Sequence, residues 1–271
     1  MHEFQDSHLS PEDRLTRNEA LPAGDAGRLI EYQPRRYRGG GYEHVVTFQT
    51  TLARTHAHAS LGSVDRRSDP ARSVVKRGFD VLAATLGLLV LLPGLAAVAL
   101  AIKLTSRGPL VFRQQRYGLN NTEFVVYKFR TMYFDETDVT GVKQTREDDD
   151  RITPIGRVLR RFSLDELPQL INVVKGNMSL VGPRPHVPGM LAAGVPYEIL
   201  VPGYFERHRV RPGLTGLAQA RGFRGSTVNA DFAKARITSD LEYIQNWSFM
   251  FDMRIIVETV WREFLKGGNG I

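Results

Sequence analysis

The chain contains no cysteine, which excludes a disulfide framework and any thiolate-ligated metal centre. It has no apolar run near its first residues, so a cleaved signal peptide is not expected. Basic residues are not gathered into one block but spread along the chain, which is a poor footprint for a nucleic-acid binder. His44, His56 and His58 have no metal-ligand spacing. One long uncharged run exists, and a nucleic-acid role has no use for it.

What the chain does have is size and positive charge. With 271 residues, 42% of them hydrophobic, it can bury one sizeable core and carry an appendage. A formal net charge of +7 suits an anionic partner such as a membrane face, a nucleoside diphosphate or nucleic acid, and does not choose among them. The first seventy residues mix charges with Gly39-Gly40-Gly41 and few periodic apolar positions, the composition of a largely disordered tail.

The uncharged run is Val81 to Ile102, about the length needed to cross a bilayer. Alone it reads as one transmembrane helix. Pro93 near its middle removes a backbone hydrogen bond, and both flanks are basic: Lys76 and Arg77 before, Lys103, Arg107, Arg113 and Arg116 after. The positive-inside rule places both ends in the cytoplasm, which favours a hairpin dipping into one leaflet over a full span.

Beyond it, Phe112 to Arg116 and Phe124 to Phe129 alternate as two strands joined by a turn at Gly118-Leu119-Asn120-Asn121. Glu147 to Asp150 reads as a solvated acidic loop. Tyr243 to Leu265 carries Ile244, Trp247, Phe251, Ile255, Val260, Trp261 and Phe264 with interspersed basic residues, a pattern compatible with core packing or with a helix at the membrane surface.

The densest chemistry lies in Leu159 to Pro185, LRRFSLDELPQLINVVKGNMSLVGPRP. Ser163 and Glu166 fit a capping box, with Leu167, Leu170, Ile171 and Val174 as the buried stripe, and Pro168 suits a first helical turn. The same segment offers what phosphoryl transfer requires: carboxylates to attack phosphorus or bind a divalent metal, and arginines to hold phosphate oxygens. Either way Asp165 and Glu166 fall at a helix start, where anions are stabilised.

This segment resembles the catalytic core of the bacterial sugar transferases, the monotopic phosphoglycosyl transferases, over roughly Val75 to Ile271. Tyr127-Lys128-Phe129-Arg130-Thr131-Met132 matches their KFRTM motif, Asp150 to Gly156 matches the run before the Asp-Glu pair, and Arg211 to Gln219 resembles PG(I/L)TG-x-AQ. Lys76 to Asp80 is similar to their entry into a membrane hairpin, and Gly108 to Gln114 to the segment after it. The resemblance implies a mainly helical α+β fold: a tail at 1–74, a re-entrant membrane hairpin at 75–106 broken near Leu92-Pro93, and a catalytic domain at 107–271 with a small β-hairpin and interfacial amphipathic helices.

It also implies a reaction. Asp165 would attack the sugar-proximal phosphorus of a UDP-sugar, releasing UMP, and undecaprenyl phosphate would then take the phosphosugar. Glu166 would bind Mg²⁺, with Arg160 and Arg184 on non-bridging oxygens and Lys128 and Arg130 as further phosphate contacts. Ala218 to Arg224 departs from the AQVNGR of many relatives, leaving Arg224, with Arg221 as competitor, in a nucleotide or phosphate role. Arg224-Gly225-Ser226-Thr227, followed after a spacer by Asp240-Leu241-Glu242-Tyr243-Ile244, is similar to the branch that starts exopolysaccharide or colanic-acid-like repeat units with glucose-1-phosphate, with galactose-1-phosphate or an N-acetylated amino-sugar phosphate as alternative donors. The expected setting is the inner-membrane lipid, facing the cytoplasm. No motif encodes the homodimer that lateral packing in one leaflet would allow. A catalytically inactive membrane scaffold is the rival class; the intact Asp165-Glu166 pair and Arg184 argue against it.

Overall fold

The computed structural model describes residues 32–36, 42–46, 69–136 and 149–265, apart from 224 and 226. The chain divides into two compact units, Met1–His58 and Ala59–Ile271. In the first, β1 (Tyr32–Arg36) and β2 (Tyr42–Val46) pair antiparallel, Tyr32 opposite Val46. This hairpin lies inside the segment whose composition reads as a disordered tail; the rest of residues 1–68 lies outside the described residues.

The second unit opens with α1 (Val74–Thr105), capped by Ser73, whose hydroxyl accepts from the Lys76 amide at 3.2 Å. Its 32 residues extend roughly 48 Å at the helical rise. The backbone stays helical across Pro93, where the sequence reading places a break. Both legs pack on the same unit. Ala84 and Leu88 meet Val126, Leu170, Val173 and Met178, while Leu95, Val98, Ala99 and Ile102 meet Leu110, Phe129 and Leu159. Between them, Leu89 to Gly94 is exposed.

The basic residues before the apolar run are not free for lipid headgroups. Lys76 is buried, donating to Asp252 at 2.6 Å and to the Val181 carbonyl at 3.1 Å. Arg77 donates to the carbonyls of Val173 and Val174 at 2.8 and 3.1 Å. Asp80 accepts from the Ser179 hydroxyl and the Leu180 amide. The residues that read as a membrane flank instead tie α1 to the domain, because a desolvated charge needs a partner and these three find one.

The expected hairpin forms as β3 (Val111–Tyr117) and β4 (Glu123–Phe129), turning at Asn120 and Asn121 with φ of 53° and 61°. After α2 (Pro154–Arg161), a 3₁₀ turn at Leu164–Glu166 leads into α3 (Gln169–Lys175) and β5 (Ser179–Val181). Asn172 staples α3 to β4, accepting from the Tyr127 amide at 3.1 Å and donating to the Val125 carbonyl at 2.7 Å. A short ladder of β6 (Leu191–Ala192) and β7 (Val195–Pro196) and the turn α4 (Tyr197–Leu200) follow. Then β8 (Gly213–Thr215) pairs parallel with β5, and α5 (Leu217–Ala220), α6 (Ala230–Gln245) and α7 (Phe249–Leu265) close the unit.

Two sequence expectations change here. The capping box does not form: Ser163 is left-handed at φ 53° with no capping bond from its side chain, and the Glu166 carboxylate turns to cations instead. In α3 the buried apolar face is Leu170 and Val173, while Ile171 and Val174 are exposed, because the α-helix starts after Pro168 and the 3₁₀ turn before it shifts the helical phase. In the C-terminal segment, Ile244, Trp247, Phe251 and Ile255 join the core with Val181, Val210 and Leu217. Met250, Val257, Val260 and Trp261 are exposed, and the side chain of Phe264 lies outside the described residues.

Candidate active site

Asp165 and Glu166 sit in the 3₁₀ turn between α2 and α3, both buried to 8% exposure. Around them converge one side chain from β4, one from α2 and one from the loop after β5. Lys128 donates to Glu166 Oε1 at 2.7 Å. Arg184 reaches the same carboxylate through both ends of its fork, Nη1 to Oε2 at 3.0 Å and Nη2 to Oε1 at 2.5 Å. Arg160, steadied by a 2.9 Å bond to the Thr131 hydroxyl, faces Asp165.

Neighbouring carboxylates are pushed in opposite directions. Burial raises Asp165 to about 6, with Glu166 adding to the rise and Lys128, Arg160 and Arg184 opposing it. Burial would raise Glu166 too, but Arg184 and Lys128 outweigh it and hold Glu166 well below the usual carboxylate range. Burial lowers Lys128 and Arg160, whereas Glu166 raises Arg184. The pair therefore offers one firmly ionised carboxylate and one that changes charge near neutrality, the separation of roles that acid, base and nucleophile chemistry uses. Among the described residues no hydrogen bond or ion pair engages the Asp165 carboxylate, which leaves it available to a ligand.

Lys128, Arg160, Arg184, Asp165 and Glu166 are thus brought together. Arg130 is not: its guanidinium donates to the Ser106 carbonyl and hydroxyl at 2.7 and 2.8 Å, closing the C-terminal end of α1. Arg224 lies outside the described residues, and its competitor Arg221 forms a two-pronged pair with Glu242 at 2.6 and 2.5 Å on the surface. Asp149 in the acidic loop is held by Arg151 at 2.8 and 2.5 Å.

Arg116 is a site residue that the sequence reading leaves as a membrane flank. It is inside the cluster, donates to the Pro185 carbonyl at 3.0 Å and to Gln114, and is lowered to about 10 by burial and by Arg184. The signal was available: Phe112 pairs with Lys128, so two-residue alternation places Gln114 and Arg116 on the face of Lys128.

The loop Gly182-Pro183-Arg184-Pro185 is set by a close backbone crossing. A Cβ on Gly213 would lie 2.1 Å from the Gly182 nitrogen, and one on Gly182 would lie 2.5 Å from the Arg211 carbonyl, so both positions need glycine.

No three His, Asp or Glu converge into a metal-binding group among the described residues. The protein itself offers two carboxylates, and that donor set fits Mg²⁺, which takes one or two carboxylates and completes its shell with substrate phosphates and water.

A buried Asp-Glu pair ringed by four cations is a site whose charge suits an anionic ligand, and the same unit carries one helix long and apolar enough to cross a membrane. The model of the bacterial sugar transferase family matches residues 71–266, and the chain belongs to that family. It is 55% identical over 194 residues to the exopolysaccharide production protein PSS of Rhizobium leguminosarum bv. phaseoli, covering 72% of this chain and 97% of that one. Identity is 53% over 191 residues with an undecaprenyl-phosphate glucose phosphotransferase of Komagataeibacter xylinus, covering 70% of this chain and 36% of the relative. It is 47% over 193 residues with a UDP-glucose:undecaprenyl-phosphate glucose-1-phosphate transferase of Escherichia coli (strain K12), covering 71% and 41%. The chain therefore spans nearly all of the first relative and less than half of the other two.

Proposed function

We propose that this chain transfers a hexose-1-phosphate, glucose-1-phosphate first among the donors, from a UDP-sugar to undecaprenyl phosphate, opening an exopolysaccharide or related glycan. The observation that carries the reading is the split within the Asp-Glu pair: Glu166 locked between Lys128 and Arg184, Asp165 unengaged and titrating near neutrality. The two glucose-transferring relatives support glucose as donor.

In the first step an Asp165 carboxylate oxygen forms a bond to the sugar-proximal phosphorus. The bond from that phosphorus to the bridging oxygen breaks, and UMP leaves with the electron pair. In the second step an oxygen of undecaprenyl phosphate attacks the same phosphorus and the Asp165 carboxylate departs, restoring the enzyme. Arg184, Lys128, Arg160 and Arg116 neutralise non-bridging oxygens as charge develops on them. Arg184 is the more open of the two cations holding Glu166, its side chain 35% exposed against 18% for Lys128, so it is the one that moves more readily onto phosphate. Mg²⁺ would be held by Glu166 once Arg184 has left that carboxylate for phosphate, and would supply charge neutralisation at the leaving group.

The proposed membrane geometry is supported by α1. Residues before and after Pro93 pack on one domain while the stretch across it is exposed and apolar, which supports immersion of that stretch in one leaflet with the domain on the cytoplasmic side. The exposed Met250, Val257, Val260 and Trp261 of α7 support a face lying at the headgroup level. This brings a soluble nucleotide sugar and a lipid-borne phosphate to one surface. The test is incubation of radiolabelled UDP-glucose with the chain in nanodiscs containing undecaprenyl phosphate. Organic-soluble label lost in Asp165→Asn and Glu166→Gln supports the reading; no organic-soluble label with any UDP-hexose overturns it.

A further inference from the structure

Arg184 reaches the cluster from a loop whose carbonyls are accounted for one by one. Gly213 N–H donates to Pro183 at 2.9 Å, Arg207 Nη2 to Arg184 at 2.6 Å, Arg116 Nη1 to Pro185 at 3.0 Å and Tyr117 N–H to His186 at 3.0 Å. Four separate residues therefore fix this short stretch.

Arg207 differs from the other three donors. It comes from the 3₁₀ segment Tyr204–Arg209, is 1% exposed, and is itself clamped by Asp240 of α6, which accepts from Nε at 2.9 Å and from Nη2 at 2.7 Å. Asp240 is 2% exposed, and among the described residues its ion pair is with Arg207 rather than with Lys128 or Arg184. A buried ion pair contributes little net stability compared with an apolar pair of the same shape, so stability alone gives weak reason for one here. What this pair does that an apolar one would not is donate to the peptide that carries Arg184.

We propose that Arg207, held by Asp240, is a positioning residue for Arg184: it fixes the Arg184 backbone so that only the side chain, and not the loop, has to move when the guanidinium passes from Glu166 to the sugar-nucleotide diphosphate. This brings Asp240, the first residue of the Asp240-Leu241-Glu242-Tyr243 motif, into the support of the site. A pre-set loop spares the ordering that binding would otherwise require, so its loss shows in substrate kinetics before it shows in folding. The inference rests on Arg184 contacting substrate phosphate.

The experiment is a double-mutant cycle on the full chain in nanodiscs, reading kcat and KM for UDP-sugar in UMP release. Arg207→Met with Asp240→Leu removes the pair without leaving a buried charge; Arg207→Lys, which keeps the charge but not the fork, is the second variant should the first fail to fold. Each is made in the native and the Arg184→Ala backgrounds. The expected result is a loss of about tenfold in kcat/KM in the native background and under about twofold in the Arg184→Ala background, with an unchanged thermal midpoint. The same loss in both backgrounds, or none in either, overturns the proposal while leaving Arg184 a substrate contact. Arg184→Ala with native kinetics overturns the role of Arg184 itself, and the inference with it.

Discussion

Arg184 grips Glu166 through both carboxylate oxygens, and Lys128 donates to one of the same two oxygens. A carboxylate held this way neutralises two cations that would otherwise repel one another in a desolvated site. Glu166→Gln therefore removes the carboxylate that Lys128 and Arg184 bond directly, leaving Asp165 as their nearby negative charge, and should destabilise the domain by on the order of 3 kcal/mol, as breaking one partner of a buried pair does. Differential scanning fluorimetry in detergent reads this as a lowered midpoint; an unchanged midpoint would mean that the three groups are not coupled.

Asp165 behaves oppositely. Its carboxyl, raised from 3.8 to about 6 mainly by burial, binds its proton more tightly folded than unfolded. Its contribution to stability is thus fully present below about pH 4, is lost as pH rises through 6, and leaves a charged, desolvated group at neutral pH. Asp165→Asn should raise the unfolding midpoint at pH 7.5, reflecting a stability gain of about 3 kcal/mol, while abolishing UMP release. In the native chain the rate of UMP release should climb through about pH 6 to a plateau. A rate that falls across that range would exclude an ionised Asp165 as the attacking group.

Lys76 and Asp252 are a second buried pair, joined at 2.6 Å with Tyr243 and Trp247 also donating to Asp252. Lys76→Met leaves Asp252 charged and short of its partner, at an expected loss of roughly 3 kcal/mol, and Lys76→Met with Asp252→Leu should recover much of it. Thermal midpoints of the two variants and the native chain check this; a Lys76→Met midpoint equal to the native one would return Lys76 to the membrane surface.

Much of this was legible in the sequence where local pattern and chemistry agreed. The β3–β4 hairpin followed from alternation and the asparagine turn, and the clustering of Lys128, Arg160 and Arg184 around the Asp-Glu pair followed from motif resemblance. Less legible was anything decided by long-range partners. Ser163 and Glu166 satisfy a capping box by spacing, yet cations on β4 and on the loop after β5 draw Glu166 away. Lys76 and Arg77 read as a positive flank because nothing local names Asp252 or the end of α3 as their partners. Arg130, two residues from Lys128, passes beyond the strand end and turns to Ser106. Arg207 and Asp240 lie 33 positions apart and announce themselves only as a contact.

The absence of cysteine makes the membrane geometry directly testable, since every introduced thiol is single. Arg72→Cys and Arg107→Cys flank α1 and are both exposed. In intact spheroplasts neither should react with a membrane-impermeant maleimide, and both should react once the inner membrane is opened. Labelling of one but not the other before opening would make α1 a full span.

In the proposed mechanism Asp165 carries the phosphosugar between two steps. Intact-mass measurement of the purified chain after exposure to UDP-glucose without lipid acceptor addresses this directly. A mass gain of one hexose phosphate, absent in Asp165→Asn and discharged on adding undecaprenyl phosphate, is the predicted result. An adduct that persists in Asp165→Asn, or UMP release only when the lipid phosphate is present, would contradict it.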